Sequence, residues 1–210
     1  MPLPMVHLGV AKNLLDKIKV DNISIYYLGA ISPDAVHMRE NSKREDKNIS
    51  HLHNTDIKIW KENAKDLILN NSLKKNIDFY FGYGIHVLTD ICWNETIYSI
   101  FGVRYDADKT PVQDKMWAYY NDTDKLDFEL YEKYEYRPEL WDYLLKSKAV
   151  GIDGLVSADE VGAWNNRTLH WFDSGESQHK NPIKYIFYDD LLNFMSETAT
   201  KIYDYLYCAV

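Results

Sequence analysis

Apolar residues recur every three or four positions along much of the chain, which is the spacing of an amphipathic helix. Near the start, this spacing follows Pro2 and Pro4 and comprises Val6, Val10, Leu14 and Ile18. It returns in the stretches "TDIKIWKENAKDLILN", Lys75 to Phe101 and "IKYIFYDDLLNFMSETATKIYDYLYCAV", and a further helix is predicted to begin near Pro138. The pattern predicts an all-α fold, with residues 1–210 forming a single multihelical domain.

Two stretches depart from the helical pattern. The segment "ISIYYLGAI", residues 23–31, is β-branched and aromatic, and it is compatible with either a strand or a buried helix. Residues 34–54 are polar and rich in charges of both signs. We predict that they form a long ordered loop with one helical turn.

Composition narrows the class of protein. A length of 210 residues with 46% hydrophobic and 14% aromatic residues provides for one sizeable core. The net charge of −8 argues against an extended nucleic-acid surface, which needs clustered cations. No basic leader opens the chain, and no run reaches the ~20 apolar residues that span a bilayer. We therefore expect a cytoplasmic protein without a transmembrane segment, while its oligomeric state is not indicated.

His86 and Asp90 stand four residues apart in an apolar run, "GIHVLTDICW". Residues at this spacing share one face of a helix, so the two side chains are placed to bind one metal ion or two adjacent ions. A buried carboxylate must be paired or bound to a cation, since burial without a partner is costly. The alternative is a polar pair that hydrogen-bonds to itself or to a neighbouring helix.

A second group of candidate ligands lies in the predicted loop. It comprises Asp34, His37, His51 and His53, and His7 lies at the edge of the buried face of the first helix. Zinc prefers imidazole nitrogen combined with carboxylate oxygen, usually from separate segments. The alternatives are a solvated, salt-bridged loop and a histidine that is satisfied at a helix start.

The order of these pieces, His7, "SPDAVHMRE", "KNISHL" and "GIHVLTDICW", resembles the zinc-dependent phospholipase C family. That family shares its multihelical fold with the single-strand-specific zinc nucleases, and the resemblance covers about half of the chain. It implies an all-α fold of this type and a phosphoester hydrolase, phosphodiesterase- or phospholipase-like. It also implies one or two zinc ions, with another divalent metal as the alternative, and a small phosphoester or phospholipid-like substrate.

The resemblance further implies a set of metal ligands: His7, Asp34, His51, His86 and Asp90. By this resemblance, His7 binds one metal ion and His86 binds a second ion together with Asp34. Asp90 is the carboxylate that bridges the two ions. Asp34 is also the catalytic residue, as the base or water-orienting group. Either His53 or His37 is an alternative to His51.

Thr96 marks a departure from the family pattern, because members with a third zinc site have a histidine at this position. A later His-x-x-x-Glu pair is also not found. We therefore expect the third site to be missing or rebuilt from residues such as Glu95. The leading hypothesis is a hydrolase in which metal-activated water attacks phosphorus, and the alternative is a non-catalytic metal- or ligand-binding helical protein that retains the fold.

Tryptophans are concentrated in the second half of the chain, at Trp117, Trp141, Trp164 and Trp171. Indole rings line grooves for lipids or bases, and they also fill cores. The sequence leaves both uses open.

Overall fold

The computed structural model describes residues 3–71 and 75–208, and in this part of the chain all regular structure is helical apart from an isolated β-bridge between Ile152 and Val156. The prediction of an all-α fold is confirmed here. None of these helices combines the length and apolarity needed to cross a bilayer. A 3₁₀ helix spans Ser32–Met38, and the α-helices are α1 (Pro4–Leu15), α2 (Ile23–Ile31), α3 (Arg44–Ser50), α4 (Ile57–Asn70), α5 (Ile77–Glu95), α6 (Ile97–Ala107), α7 (Lys115–Lys133), α8 (Arg137–Lys146), α9 (Ala158–His170) and α10 (Tyr188–Tyr207).

The first helix forms as its spacing predicts, with Pro4 at its first position, while Pro2 lies outside the described residues. The segment 23–31 is helix α2, so the strand alternative is wrong. The Asn22 side chain caps this helix by accepting a hydrogen bond of 3.2 Å from the Ile25 amide.

Two predicted boundaries are wrong. The expected loop 34–54 contains most of the 3₁₀ helix and all of α3, where the Asp46 carboxylate accepts a hydrogen bond of 2.9 Å from the Lys43 amide. The helix expected from Lys75 to Phe101 is interrupted at Thr96, whose φ of −121° and ψ of −83° are not helical. The hydrophobic pattern continues across this break, so it did not reveal the change of direction.

Helix α5 is the central helix of the fold. It packs against α1, α2, α4, α6, α10 and the 3₁₀ helix, and almost all of its side chains from Phe79 to Trp93 are buried. A helix that is apolar on all sides is typical of such a position. His86 and Asp90 are therefore held inside the core.

Two glycines allow α2 and α5 to approach closely. A methyl group on Gly82 would lie 2.0 Å from the Tyr26 carbonyl oxygen, and one on Gly29 would lie 2.3 Å from the Phe79 carbonyl oxygen. No side chain larger than hydrogen fits at either position without separating the helices. The close approach also brings the Ala30 carbonyl oxygen of α2 to 2.8 Å from Nδ1 of His86 on α5.

Arg39 joins three elements near the same region. Its Nε lies 2.8 Å from a Glu160 oxygen on α9, its Nη1 lies 2.8 Å from an Asp46 oxygen on α3, and its Nη2 donates to the Leu155 carbonyl at 3.0 Å. Because Arg39 directly follows the 3₁₀ helix, these bonds hold α9 beside the segment that carries Asp34.

We predict that Gly82→Ala lowers the free energy of unfolding by about 3 kcal/mol, because the new methyl group overlaps the backbone of α2. Urea unfolding followed by circular dichroism measures this change. Gly102→Ala in α6 is the matched control. A methyl group on Gly102 would lie 3.8 Å from the flexible Lys115 Nζ, which is ordinary van der Waals contact. We expect the control to be neutral or to stabilise by about 0.5 kcal/mol through helix propensity. A Gly82→Ala protein as stable as wild type would contradict the close packing of α2 on α5.

Candidate metal centre

The predicted ligands come from four separate elements and meet below the protein surface. His7 comes from α1, Asp34 from the 3₁₀ helix, His51 from the end of α3, and His86 and Asp90 from α5. His7, His86 and Asp90 are each 1% exposed, and Asp34 is the most accessible at 8%. The structure thus brings all five side chains together.

Asp90 lies at the middle of this group. Its Oδ1 is 3.6 Å from Nε2 of His7, while its Oδ2 is 3.6 Å from Nε2 of His51 and 4.0 Å from Nε2 of His86. Ligand atoms about 2.1 Å from a tetrahedral zinc ion lie about 3.4 Å from one another. The separations around Asp90 are therefore close to those of ligands that surround an ion.

Asp34 approaches two of the same imidazoles, those of His51 and His86. Its Oδ1 is 3.3 Å from Nε2 of His51, and its Oδ2 is 3.9 Å from Nε2 of His86. The rings of His7 and His86 are stacked in parallel with their centroids 3.6 Å apart. The nitrogen and oxygen atoms of the cluster thus converge at separations longer than those of good hydrogen bonds.

These residues contain seven buried side-chain atoms that have no hydrogen-bond partner in the protein: Nδ1 and Nε2 of His7, Oδ1 of Asp34, Nε2 of His51, Nε2 of His86, and Oδ1 and Oδ2 of Asp90. Each unsatisfied buried polar group costs about 1–3 kcal/mol, and more if it is charged. A cation bound among them would satisfy the atoms that face it, although an imidazole binds a metal through one nitrogen, so one of the two His7 nitrogens would keep no partner. The donor set of three imidazoles and two carboxylates fits zinc or a similar divalent ion.

Backbone carbonyls orient two of the imidazoles. Nδ1 of His86 lies 2.8 Å from the Ala30 carbonyl oxygen, and Nδ1 of His51 lies 3.0 Å from the Lys47 carbonyl oxygen. Because a carbonyl oxygen only accepts, each Nδ1 carries the proton and each Nε2 keeps its lone pair toward the cluster. This arrangement is typical of histidines that bind metals.

The protonation states also suit a cation. Burial lowers the pKa of His7 well below its ordinary value, and the nearby His86 lowers it further. Burial likewise lowers the pKa of His86, against the opposing effect of Asp34 and Asp90. Burial alone would raise the pKa of Asp34, but His51, His86 and Lys47 overcome this effect and hold that pKa well below its ordinary value. Neutral imidazoles and an ionised Asp34 are the forms that bind metals.

Two overlapping groups of three residues have ligand atoms within 4.8 Å of one another: His7, Asp34 and His86, and His51, His86 and Asp90. Either group could hold a metal ion. His86 belongs to both, but its single free lone pair serves only one ion. The two Asp90 oxygens face different imidazoles, so this carboxylate could contribute an oxygen to each of two ions.

The two alternative histidines are exposed and lie outside the buried cluster. His53 is exposed and packs edge-on against Trp60, with ring centroids 4.7 Å apart. His37 lies at the rim, with Nε2 3.7 Å from Asp34 Oδ1 and 3.1 Å from Lys47 Nζ. His51 is thus the histidine of this segment that lies inside the cluster.

Neither residue considered for a third metal site joins the cluster. The Thr96 hydroxyl donates a hydrogen bond of 2.7 Å to the Cys92 carbonyl at the end of α5. Glu95 forms a salt bridge of 3.1 Å with Lys61 on α4.

A pocket of about 480 Å³ adjoins the cluster, and Asp34 is the one predicted ligand that lines it. Trp164 and Trp171 line the same pocket, whereas Trp141 is buried in the core and Trp117 is 51% exposed. The pocket wall also contains His37, Lys47, Arg167 and Thr168. Sequence reasoning had not placed Arg167 or Thr168 at a site, although both share the helical spacing of the two tryptophans.

Comparison of the chain with models of known protein families, with curated proteins and with solved structures gives no match. The interpretation of this centre therefore rests on its residues and their geometry.

We predict that Asp90→Asn has opposite effects with and without metal. In EDTA, the variant should be at least as stable as wild type, because the substitution removes a buried carboxylate that has no hydrogen-bond partner. With zinc at a hundred times its Kd, wild type should gain about 2.7 kcal/mol and the variant less than about 1 kcal/mol. Urea unfolding in EDTA and in zinc measures both effects.

Asp122→Asn is the matched control. Asp122 is equally buried, but its Oδ2 accepts hydrogen bonds from the Tyr185 and Ile186 amides at 2.6 and 3.1 Å. This control should lose stability in both conditions and keep the full gain from zinc. If Asp90→Asn also kept that gain, Asp90 would not be a ligand.

Proposed function

We propose that this protein is a metal-dependent phosphoester hydrolase that uses one or two zinc ions, with a multihelical fold of the phospholipase C and zinc nuclease type. The observation that carries the proposal is the buried cluster of three imidazoles and two carboxylates, which reaches a pocket through Asp34. The sequence resemblance supports the same reaction class. The resemblance also favours phosphodiesters or phospholipid-like molecules, and we include these substrates in the proposal. We further propose that the protein is cytoplasmic.

Metal ions bound at such a centre acidify water and offset the charge that develops on phosphoryl oxygens. Asp34 is the residue placed to manage the proton of the attacking water. Its carboxylate is held ionised by its neighbours, and it lies where the cluster meets the pocket. It can therefore orient that water and accept its proton.

Lys47 supports Asp34 from the pocket side, with its ammonium 3.6 Å from Asp34 Oδ1. This cation lies near both the base and the space for substrate. It stabilises the ionised carboxylate before reaction, and it can bind a phosphoryl oxygen. His37 also lines the pocket, with its Nε2 3.1 Å from Lys47 Nζ, and burial and Lys47 lower its pKa.

The first test combines metal content with hydrolysis. Protein purified without chelator should contain one to two equivalents of zinc and should hydrolyse members of a panel of phosphodiesters and phosphomonoesters. We predict that Asp34→Asn lowers kcat by about a thousandfold, because it removes the base from the reaction. Elemental analysis and release of p-nitrophenolate measure the two quantities.

A matched pair of histidine variants separates the metal centre from its surroundings. His51→Ala should lose both zinc and activity, whereas His53→Ala, only two residues away but exposed, should keep both. Folded protein without zinc or any similar metal would reject the proposal. Protein that binds metal but leaves the whole panel intact would instead be the non-catalytic metal-binding protein.

A further inference from the structure

One face of α9 and its end forms a wall of the pocket. Trp164, Arg167, Thr168 and Trp171 all line the pocket, and their spacing of three, four and seven residues places them on the same side of the helix. This wall comes from the second half of the sequence, whereas the predicted metal ligands all come from the first half. The side chains of this wall therefore indicate which chemical groups of a ligand the pocket could bind, apart from the group held at the metal centre.

The charge of the pocket is opposite to that of the whole chain. The protein carries 32 acidic against 24 basic residues, yet the pocket is lined by the cations Lys47 and Arg167 and by a single carboxylate, Asp34. Lys47 has Asp34 as a neighbour. Arg167 forms no salt bridge within the described residues. Arg167 is exposed at the pocket, so its charge is available to a ligand as well as to water.

The two tryptophans hold Arg167 in place. The guanidinium carbon lies 5.1 Å from the ring centre of Trp164 and 4.9 Å from that of Trp171. Stacking on aromatic faces orients the planar group and leaves its N–H edges available for hydrogen bonds. An arginine ordered in this way needs little further ordering to bind a phosphate with two parallel hydrogen bonds.

Thr168 provides an independent observation. It is only 2% exposed, and its hydroxyl has no hydrogen-bond partner in the protein. The indole Nε1 atoms of Trp164 and Trp171 are also buried without partners. These unpartnered donors belong to side chains that line the pocket, and an oxygen-rich anion would satisfy them if those side chains turned toward it.

We propose that this face of α9 recognises a phosphoryl group with two negative charges, and that Arg167 is a specificity-determining residue that selects phosphomonoesters. The reaction itself rests on the proposed function. A monoester approaches two negative charges near neutral pH, whereas a simple diester carries one. A quaternary ammonium head group would meet Lys47 and Arg167 with repulsion. The charge of the pocket thus favours monoesters over the diesters and phospholipids that the resemblance implies.

The kinetic test compares p-nitrophenyl phosphate, bis(p-nitrophenyl) phosphate and p-nitrophenylphosphorylcholine in the zinc-loaded protein. Wild type should prefer the monoester. Arg167→Gln should lower kcat/KM for the monoester about thirtyfold, mainly through KM, and lower it for the diester less than about threefold. Arg167→Lys keeps the charge but not the paired N–H groups. Its kcat/KM for the monoester should lie between those of wild type and Arg167→Gln. Zinc content should not change in any variant.

Arg137→Gln is the matched control, because Arg137 also stacks on an aromatic ring, that of Tyr131 at 4.7 Å, but does not line the pocket. It should leave all three activities unchanged. Equal losses for monoester and diester in Arg167→Gln, or no loss for either, would overturn the role of Arg167. Preference for the choline ester in wild type would overturn the anionic substrate class.

Titration of inorganic phosphate into the zinc-loaded protein separates this inference from the proposed function. If no ester is hydrolysed, the proposed function fails. Phosphate binding that is about tenfold weaker in Arg167→Gln, and unchanged in Arg137→Gln, would still support anion recognition by α9. Equal phosphate affinity in wild type and Arg167→Gln would overturn it, whether or not the protein is an enzyme.

Discussion

The close contact between α2 and α5 is the constraint on which the candidate centre depends. Gly29 and Gly82 remove the side chains that would hold these helices apart. The Ala30 carbonyl can then reach His86, and this hydrogen bond fixes the imidazole with its lone pair toward Asp90. With a wider spacing, both the carbonyl and the Nδ1 group would be buried without a partner. Helix packing thus determines the chemistry that His86 can perform.

The buried polar cluster destabilises the fold unless other interactions offset its cost. Four elements that share little sequence proximity each bring polar atoms to one buried point, where the protein alone does not satisfy them. Hydrophobic packing around α5 must offset this cost in the absence of a cation. With a cation, the same atoms become bonds that connect α1, the 3₁₀ helix, α3 and α5. A bound metal ion would therefore stabilise the fold through the residues that are least favourable without it.

The parts of this arrangement that follow from local spacing could be predicted from the sequence. The helices α1, α4 and α10 and the four-residue separation of His86 and Asp90 are of this kind. The bend at Thr96 was missed because apolar spacing continues through it. The 3₁₀ helix and α3 within residues 34–54 were missed because they are held by polar contacts such as those of Arg39 rather than by a hydrophobic face. Long-range contacts also decide between His51 and His53, which look equivalent in the sequence.

The wall formed by α9 shows why the second half of the chain matters to a centre built by the first. Asp34 and Arg167 are far apart in sequence, but Arg39 binds Glu160 on α9 and directly follows the helix that carries Asp34. Arg39 also holds the pKa of Glu160 below its ordinary value, so the pair stays ionised. A paired, planar contact of this kind fixes orientation as well as distance. The separation between Asp34 and the wall formed by α9 is thus set by a defined salt bridge, as the proposed discrimination by a single extra charge would require.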